Sequence, residues 1–358
     1  MPKNKLTLTV VSADVGGLVG HISSHPDILD TAKEKLYSAK ERGTIADFNV
    51  LRCGDDLELI LTHAKGPDSR EINTLAWNTV SACAKAAVEL KLHGREEYGA
   101  KQGKGPCSVE IEFNERESEP VVILMANKTT SGAWNLPLFK IFADPFNTPG
   151  LVTDRFMLEG FSFAIADTEG NKETVFSAPA ETYPLLALAG MSSRYRITSV
   201  IRNIDNEPAA RAAGKRLMPD GVSSICPETP VAVVRCQSGL PAVGEAIEPF
   251  SMPHLVEGWM RGAHTGPLMP VPFYEAHPTR FDGPPRLIGA GFQISEGRLI
   301  GPHDIFDDPS FDETRRLANK ITGYMRRHGP FWPHIASGPW SELTVQSNIL
   351  EKVRPRFK

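Results

Sequence analysis

Residues 48–63, FNVLRCGDDLELILTH, read as two short strands, Phe48–Cys53 and Leu57–His63, joined by the turn Gly54-Asp55-Asp56. Upstream, Leu6–Ser12 alternates like a half-buried strand, and Pro26–Arg42 has the apolar spacing of an amphipathic helix that stops before Gly43. Downstream, Glu71–Leu92 reads as a long Ala-rich helix. The order is strand, helix, strand, strand, helix, which departs from a strict βαβ repeat. Further strands are expected at Ser108–Phe113, Val121–Met125, Phe161–Asp167, Tyr195–Ile201 and Val231–Cys236. Helices are expected at Leu136–Phe142, Glu181–Ala189 and Thr314–His328. The count points to an α+β sandwich in which helices cover strands.

Leu240–Pro302 differs, being dense in Gly and Pro, and is expected to hold little regular structure while carrying Trp259, His264, Phe281 and several arginines. Long irregular segments within compact domains are often binding surfaces. No repeat, low-complexity tract or polar linker divides the 358 residues, so residues 1–358 are read as a single domain, and 41% hydrophobic content suffices for a core. A net charge of −4 without a Lys/Arg run leaves no electrostatic footprint for nucleic acid or an anionic membrane, and neither is expected as a partner. The N-terminus lacks the continuous apolar core of a signal peptide, and no run approaches the ~20 apolar residues of a membrane helix. Five cysteines without metal-binding spacing fit reduced thiols, and a cytoplasmic location is expected.

Magnesium prefers oxygen ligands and is usually held by a few carboxylates together with substrate phosphates. Asp14 follows the first strand, and Gly16, Gly17 and Gly20 leave the backbone free to turn so that Asp14 and His21 face one site. Asp55 and Asp56 lie in a turn, where neighbouring side chains need not point to opposite faces. Two readings of this turn stay open: a metal-bridging pair, or a hairpin turn with solvated carboxylates. His21 is likewise either a ligand or a packed histidine. Lys128, Arg261, Arg280 and Arg286 either neutralise a phosphate or serve as surface cations paired with neighbours such as Asp282.

Taken together these segments resemble the archaeal and thermophile-type fructose-1,6-bisphosphate aldolase/phosphatases. The stretches that carry the likeness are ADVGGLVGH (13–21), GDDLELILTH (54–63), YGAKQ (98–102), NLPLFKIFADPFNTPGLV (135–152), GLPAVGEAIEPF (239–250), PHLVEGWMRGAHTGPLMPV (253–271), TRFDGPPRLIGAGF (279–292) and GPFWPH (329–334). They follow one collinear order over nearly the whole chain, and long irregular matches of this kind are specific. The resemblance implies a single-domain, four-layer α-β-β-α sandwich assembled into a large symmetric homo-oligomer, an octamer. It also implies an active site that binds Mg²⁺ between carboxylates and a sugar bisphosphate. By resemblance the metal ligands are Asp14, His21, Asp55, Asp56 and Gln102, with Glu228 and Asn127 at positions where the family has aspartates. The sugar and phosphate contacts are Tyr98, Lys128, Gln237, Arg261, Asp282 and, from the residues themselves, Arg280.

The departures bear on the chemistry. The family's Schiff-base loop, Tyr-x-Gly-Lys-Asp-Asp-Pro, stands here as Ser224-Ile225-Cys226-Pro227-Glu228-Thr229-Pro230, so proline replaces the lysine whose amine attacks a ketose carbonyl. The family's Met-Ala-Asp-Lys-Thr appears as Met125-Ala126-Asn127-Lys128-Thr129, Thr229 replaces a second aspartate, and Lys101 replaces a glycine. A shift of about three positive charges beside the metals implies fewer Mg²⁺ ions than in the family, with Lys101 standing in for one of them or else a solvated loop lysine. A longer loop of the family is reduced to Gly103 and Lys104, which reshapes the pocket. The expected activity is a Mg²⁺-dependent phosphatase on a sugar (bis)phosphate, with Asp14, Asp55, Asp56, Lys128 and Lys101 as catalytic candidates and no aldolase step by the family's lysine. The alternatives are an altered lyase, aldolase or isomerase acting on another phosphorylated ketose or aldehyde, and a non-catalytic relative that only binds a sugar phosphate.

Overall fold

The computed structural model describes residues 5–94, 105–170, 172–212, 214–218, 221–226, 230–258, 264–278, 283–328 and 352–357. The first half supplies β1 (Lys5–Asp14), α1 (Pro26–Glu41), β2 (Asp47–Cys53), β3 (Asp56–His63), α2 (Arg70–Glu89), β4 (Cys107–Asn114), β5 (Glu119–Ala126), α3 (Asn135–Ala143), α4 (Gly150–Thr153), β6 (Phe161–Asp167) and β7 (Lys172–Ala178). The second half supplies α5 (Thr182–Ala189), β8 (Tyr195–Arg202), β9 (Glu207–Arg211), β10 (Gly214–Met218), β11 (Gly221–Cys226), β12 (Val231–Arg235), α6 (Val243–Ile247), β13 (Leu255–Gly258), β14 (His264–Pro267), β15 (Met269–Pro270), β16 (Arg286–Ser295), β17 (Arg298–Asp304) and α7 (Asp312–His328).

Two sheets form the centre. One runs β11-β10-β4-β1-β3-β2; the other runs β15-β16-β5-β12-β9-β8-β6-β7, with β17 paired to β16. Their facing sides share one core: Leu8, Val10, Ile60, Val109 and Ile111 from the first meet Ile123, Met125, Val233, Ile288 and Ala290 from the second. The outer side of the first sheet is covered by α1 and α2. Pro26 opens α1, His25 accepts the Asp27 N–H as its cap, and Ile28, Ala32, Leu36 and Ala39 form the buried stripe. That stripe packs with Ile72, Ala76 and Val80 of α2 on Leu57, Leu59 and Leu61 of β3. The outer side of the second sheet carries α3 and α5, with Leu138, Phe142, Leu185 and Leu188 against Leu124, Phe161 and Phe163. The layers are therefore α-β-β-α and the class is α+β, as expected. Each fully buried Leu, Ile or Phe in these three clusters contributes about 1.5–3 kcal/mol of transfer free energy. No helix among the described residues is long and apolar enough to cross a membrane.

Two expectations need correction. The Gly/Pro-rich region contains more order than its composition suggests, because 286–304 form the hairpin β16–β17. Ile288, Ala290, Phe292 and Ile294 alternate into the inter-sheet core. Gly289 and Gly291 lie between them because Phe306 and Ile305 pack against the backbone; a Cβ on either would come within 2.9 Å of one of those side chains. The cysteines are also not all reduced. Cys107, the first residue of β4, and Cys226, the last of β11, are joined as a disulfide with Cα atoms 6.0 Å apart, while Cys53, Cys83 and Cys236 are free and buried.

Candidate metal centre

Three strand ends converge at one edge of the seam between the sheets. β1 ends at Asp14, which pairs directly with Asp56 at the start of β3. The turn between β2 and β3 is Gly54-Asp55, and Gly54 takes a left-handed φ of +65° that glycine alone adopts without cost. The turn is pinned from outside: Ser24 donates its hydroxyl to the Asp55 carbonyl at 2.8 Å, its N–H bonds the Gly54 carbonyl at 3.1 Å, and Gly54 N–H bonds the Ala276 carbonyl at 3.0 Å. From the other sheet β5 ends at Ala126, and Asn127 and Lys128 follow. Lys128 sits in the left-handed region at φ +61°, a strained conformation for a side-chain-bearing residue that here directs its ammonium back across the seam.

The resulting contacts are dense. His21 Nδ1 lies 2.8 Å from Asp55 Oδ2, and Lys128 Nζ donates to Asp55 Oδ1 at 2.8 Å. Asn127 Nδ2 donates to Asp55 Oδ1 at 3.1 Å and Asp56 Oδ2 at 3.0 Å. Asp14 Oδ1 accepts the Gly16 N–H at 3.0 Å. His21 is held by backbone pairing of Gly17 with His93, by edge contact with the His93 ring at 4.8 Å, and by Gly94, where a Cβ would approach the His21 ring to 2.3 Å. Asp14, His21 and Asp55 each offer a ligand atom within 4.8 Å of the others.

The electrostatics show a cluster short of positive charge. Burial, then the charges of Asp55 and Asp14, push the Asp56 carboxyl up to about 8. Burial and the Asp55 charge raise Asp14 as well. Burial works against ionised Asp55 too, but Lys128 and the bonds from His21 and Asn127 more than offset it and hold Asp55 below its usual value. Burial would lower the Lys128 ammonium, yet Asp55 and Asp56 keep it above its ordinary range and protonated. A divalent cation among these carboxylates would supply the missing charge, and oxygen donors plus one imidazole suit such an ion.

Of the residues named from the sequence, Asp14, His21, Asp55, Asp56, Asn127 and Lys128 come together here. Asn127, expected among the ligands, presents its N–H to the carboxylates and acts as a donor. Gln237 does not join the cluster. β12 runs antiparallel to β5 with Val231 opposite Met125 and Arg235 opposite Val121, which carries Gln237 to the far end of the sheet. There its carbonyl accepts from Arg116 at 2.7 Å. At ~3.3 Å per residue that end lies roughly 25 Å from Asn127. Arg286 lies at the near end, with its carbonyl bonded to the Asn127 N–H at 2.9 Å. Tyr98, Lys101, Gln102, Glu228, Arg261, Arg280 and Asp282 lie outside the described residues. The sequence reading missed the supports: Ser24, His93, and Glu58, which accepts from Ser12 at 2.9 Å and is held well above its usual value by burial and then by Asp56. Glu58 sits two residues after Asp56 on the same strand face, which was a readable signal.

Comparison with known proteins gives a consistent result. A family model described as fructose-1,6-bisphosphatase matches residues 5–358. The chain is 50% identical to a fructose-1,6-bisphosphate aldolase/phosphatase of Sulfurisphaera tokodaii, over 99% of this chain and 94% of that protein. It is 49% identical to the protein of that name from Ignicoccus hospitalis, covering 99% and 93%, and 48% identical to that from Moorella thermoacetica, covering 99% and 94%.

Proposed function

We propose, for a chain that belongs to the fructose-1,6-bisphosphatase family, a Mg²⁺-dependent phosphatase acting on a sugar bisphosphate such as fructose 1,6-bisphosphate, without the aldolase step of its relatives. The observation that carries this reading is the convergence of Asp14, His21 and Asp55 with the Lys128 ammonium at one strand-end cluster. Asp14, His21 and Asp55 would hold the cation, which when bound polarises a phosphoryl oxygen and favours hydroxide as the attacking group. Lys128, kept protonated by its carboxylate neighbours, meets the phosphate as a point charge. Ser24 and Gly54 hold Asp55 in place, so the carboxylates need not reorganise when substrate arrives.

The loss of the aldolase step follows from Pro227, which has no amine, at the position of the family's lysine. Lys128 does not replace it, because an ammonium stabilised by two carboxylates is not a nucleophile. Expectations of a cytoplasmic location and of a homo-oligomer accompany this reading; light scattering of the purified chain measures the latter.

The test is phosphate release from a panel of sugar mono- and bisphosphates with Mg²⁺ and with EDTA, alongside Asp55→Ala and an assay for triose phosphates. Metal-dependent release that Asp55→Ala abolishes, with no triose phosphate formed, is the expected result. Triose phosphate from fructose 1,6-bisphosphate would refute the loss of aldol chemistry. Release untouched by EDTA and by the substitution would refute the assigned site.

A further inference from the structure

Asn127 is fully buried, and its position is fixed from three directions. Its backbone N–H bonds the Arg286 carbonyl at 2.9 Å. Gly54 presses against its amide so closely that a Cβ there would lie 2.5 Å from Cγ. In front, Nδ2 donates to Asp55 Oδ1 and Asp56 Oδ2 at 3.1 and 3.0 Å, between the carboxylates of two adjacent residues. That is the place a cation shared by Asp55 and Asp56 would take. The side-chain oxygen of Asn127 is buried and accepts no hydrogen bond. Turned around, it would set oxygen against oxygen at Asp55 and give up both donated bonds, so the orientation with the N–H forward is the favoured one.

We propose that Asn127 sets the number of cations this site holds: its amide fills the Asp55–Asp56 bridge and confines the divalent cation to the corner formed by Asp14, His21 and Asp55. The proposal rests on the reading above that the cluster binds a divalent cation. A neutral donor does locally what a cation would do, joining two acidic oxygens, but adds no charge and leaves no coordination position. Aspartate has nearly the same shape, yet at 127 it would offer no N–H and place a third carboxylate against the other two. A cation between them is then the arrangement that relieves the repulsion.

The experiment titrates Mn²⁺ into the EDTA-stripped full chain, with free Mn²⁺ read by electron paramagnetic resonance, for wild type, Asn127→Asp and Asp56→Asn. Asn127→Asp is expected to bind one more Mn²⁺ per chain than wild type. Asp56→Asn, which retains an oxygen and an N–H at that position, is expected to keep the wild-type count and covers the case in which Asn127→Asp does not fold. Equal counts for wild type and Asn127→Asp would overturn the proposal and leave the metal centre standing. Loss of one Mn²⁺ in Asp56→Asn would overturn it too, since Asp56 would then be a ligand. No Mn²⁺ bound by any of the three would remove both the proposal and the metal reading beneath it.

Discussion

Raising the pH of the metal-free chain from 6 to 8 should destabilise it through Asp56. This carboxyl has an ordinary value of 3.8 and is pushed up to about 8 in the folded chain by burial and by Asp55 and Asp14. Between those values the folded chain keeps a proton that the unfolded chain has released, so stability falls as pH rises. The contribution is intact below 3.8 and is lost by the time the pH passes about 8. The slope is at most about 1.4 kcal/mol per pH unit, and integration from pH 6 to 8 gives a loss of about 2 kcal/mol. His63 and His254, whose folded values burial pushes down to about 4, work in the opposite direction over the lower part of this range. The comparison must therefore be between wild type and Asp56→Asn, which share those histidines. Urea unfolding in EDTA, followed by tryptophan fluorescence, should show wild type losing about 2 kcal/mol relative to Asp56→Asn between pH 6 and 8. Saturating Mg²⁺ should shrink that difference, because a cation held by Asp14 and Asp55 would offset the two charges that help raise Asp56. Parallel pH profiles for the two proteins in EDTA would refute the reasoning.

Gly54→Ala should cost about 1–3 kcal/mol, from its left-handed φ and from the push on Asn127, and should weaken Mn²⁺ binding; a thermal melt and a metal titration check both. Lys128→Met removes the ammonium from Asp55, so Mn²⁺ should bind the free chain more tightly while KM for the sugar bisphosphate rises about tenfold or more in steady-state assays. Glu119→Gln breaks a fully buried pair with Arg235 at the far end of β5, and urea unfolding should show a loss of about 3–5 kcal/mol. Its Mn²⁺ count should stay at the wild-type value, which separates general stability from the site.

The elements near the site were legible because their signals are local. The alternation of Leu57–His63, the turn-forming Gly54-Asp55-Asp56 and the Pro26 start of α1 each specify a conformation within a few residues. Asp14, Asp55 and Asp56 could be grouped because all three sit at strand ends of one hairpin-rich unit; Lys128 stood out as a candidate phosphate cation, and Asn127 entered through the family likeness. What could not be read depends on partners distant along the chain. The Cys107–Cys226 pairing spans 119 residues and depends on the registers of β10 with both β4 and β11. The resemblance makes Gln237 a sugar or phosphate contact, while the register of β12 on β5 places it at the end of the sheet away from Asn127. β16 was obscured by glycines that serve close packing against Ile305 and Phe306, a role that composition cannot distinguish from a loop. The Arg116–Glu119–Arg235–Glu207 network was missed because charged residues at strand ends read as solvated until burial is known.

The centre takes its carboxylates from one sheet and its amide and ammonium from the other, with three bonds of 2.8–3.1 Å crossing the seam. It therefore works as a caliper across the sandwich. Opening the gap by about half an ångström would carry the longer two past hydrogen-bond range. The spacing of the two sheets thus sets how closely Asn127 and Lys128 meet Asp55 and Asp56, and through those contacts the room left beside the carboxylates for a cation.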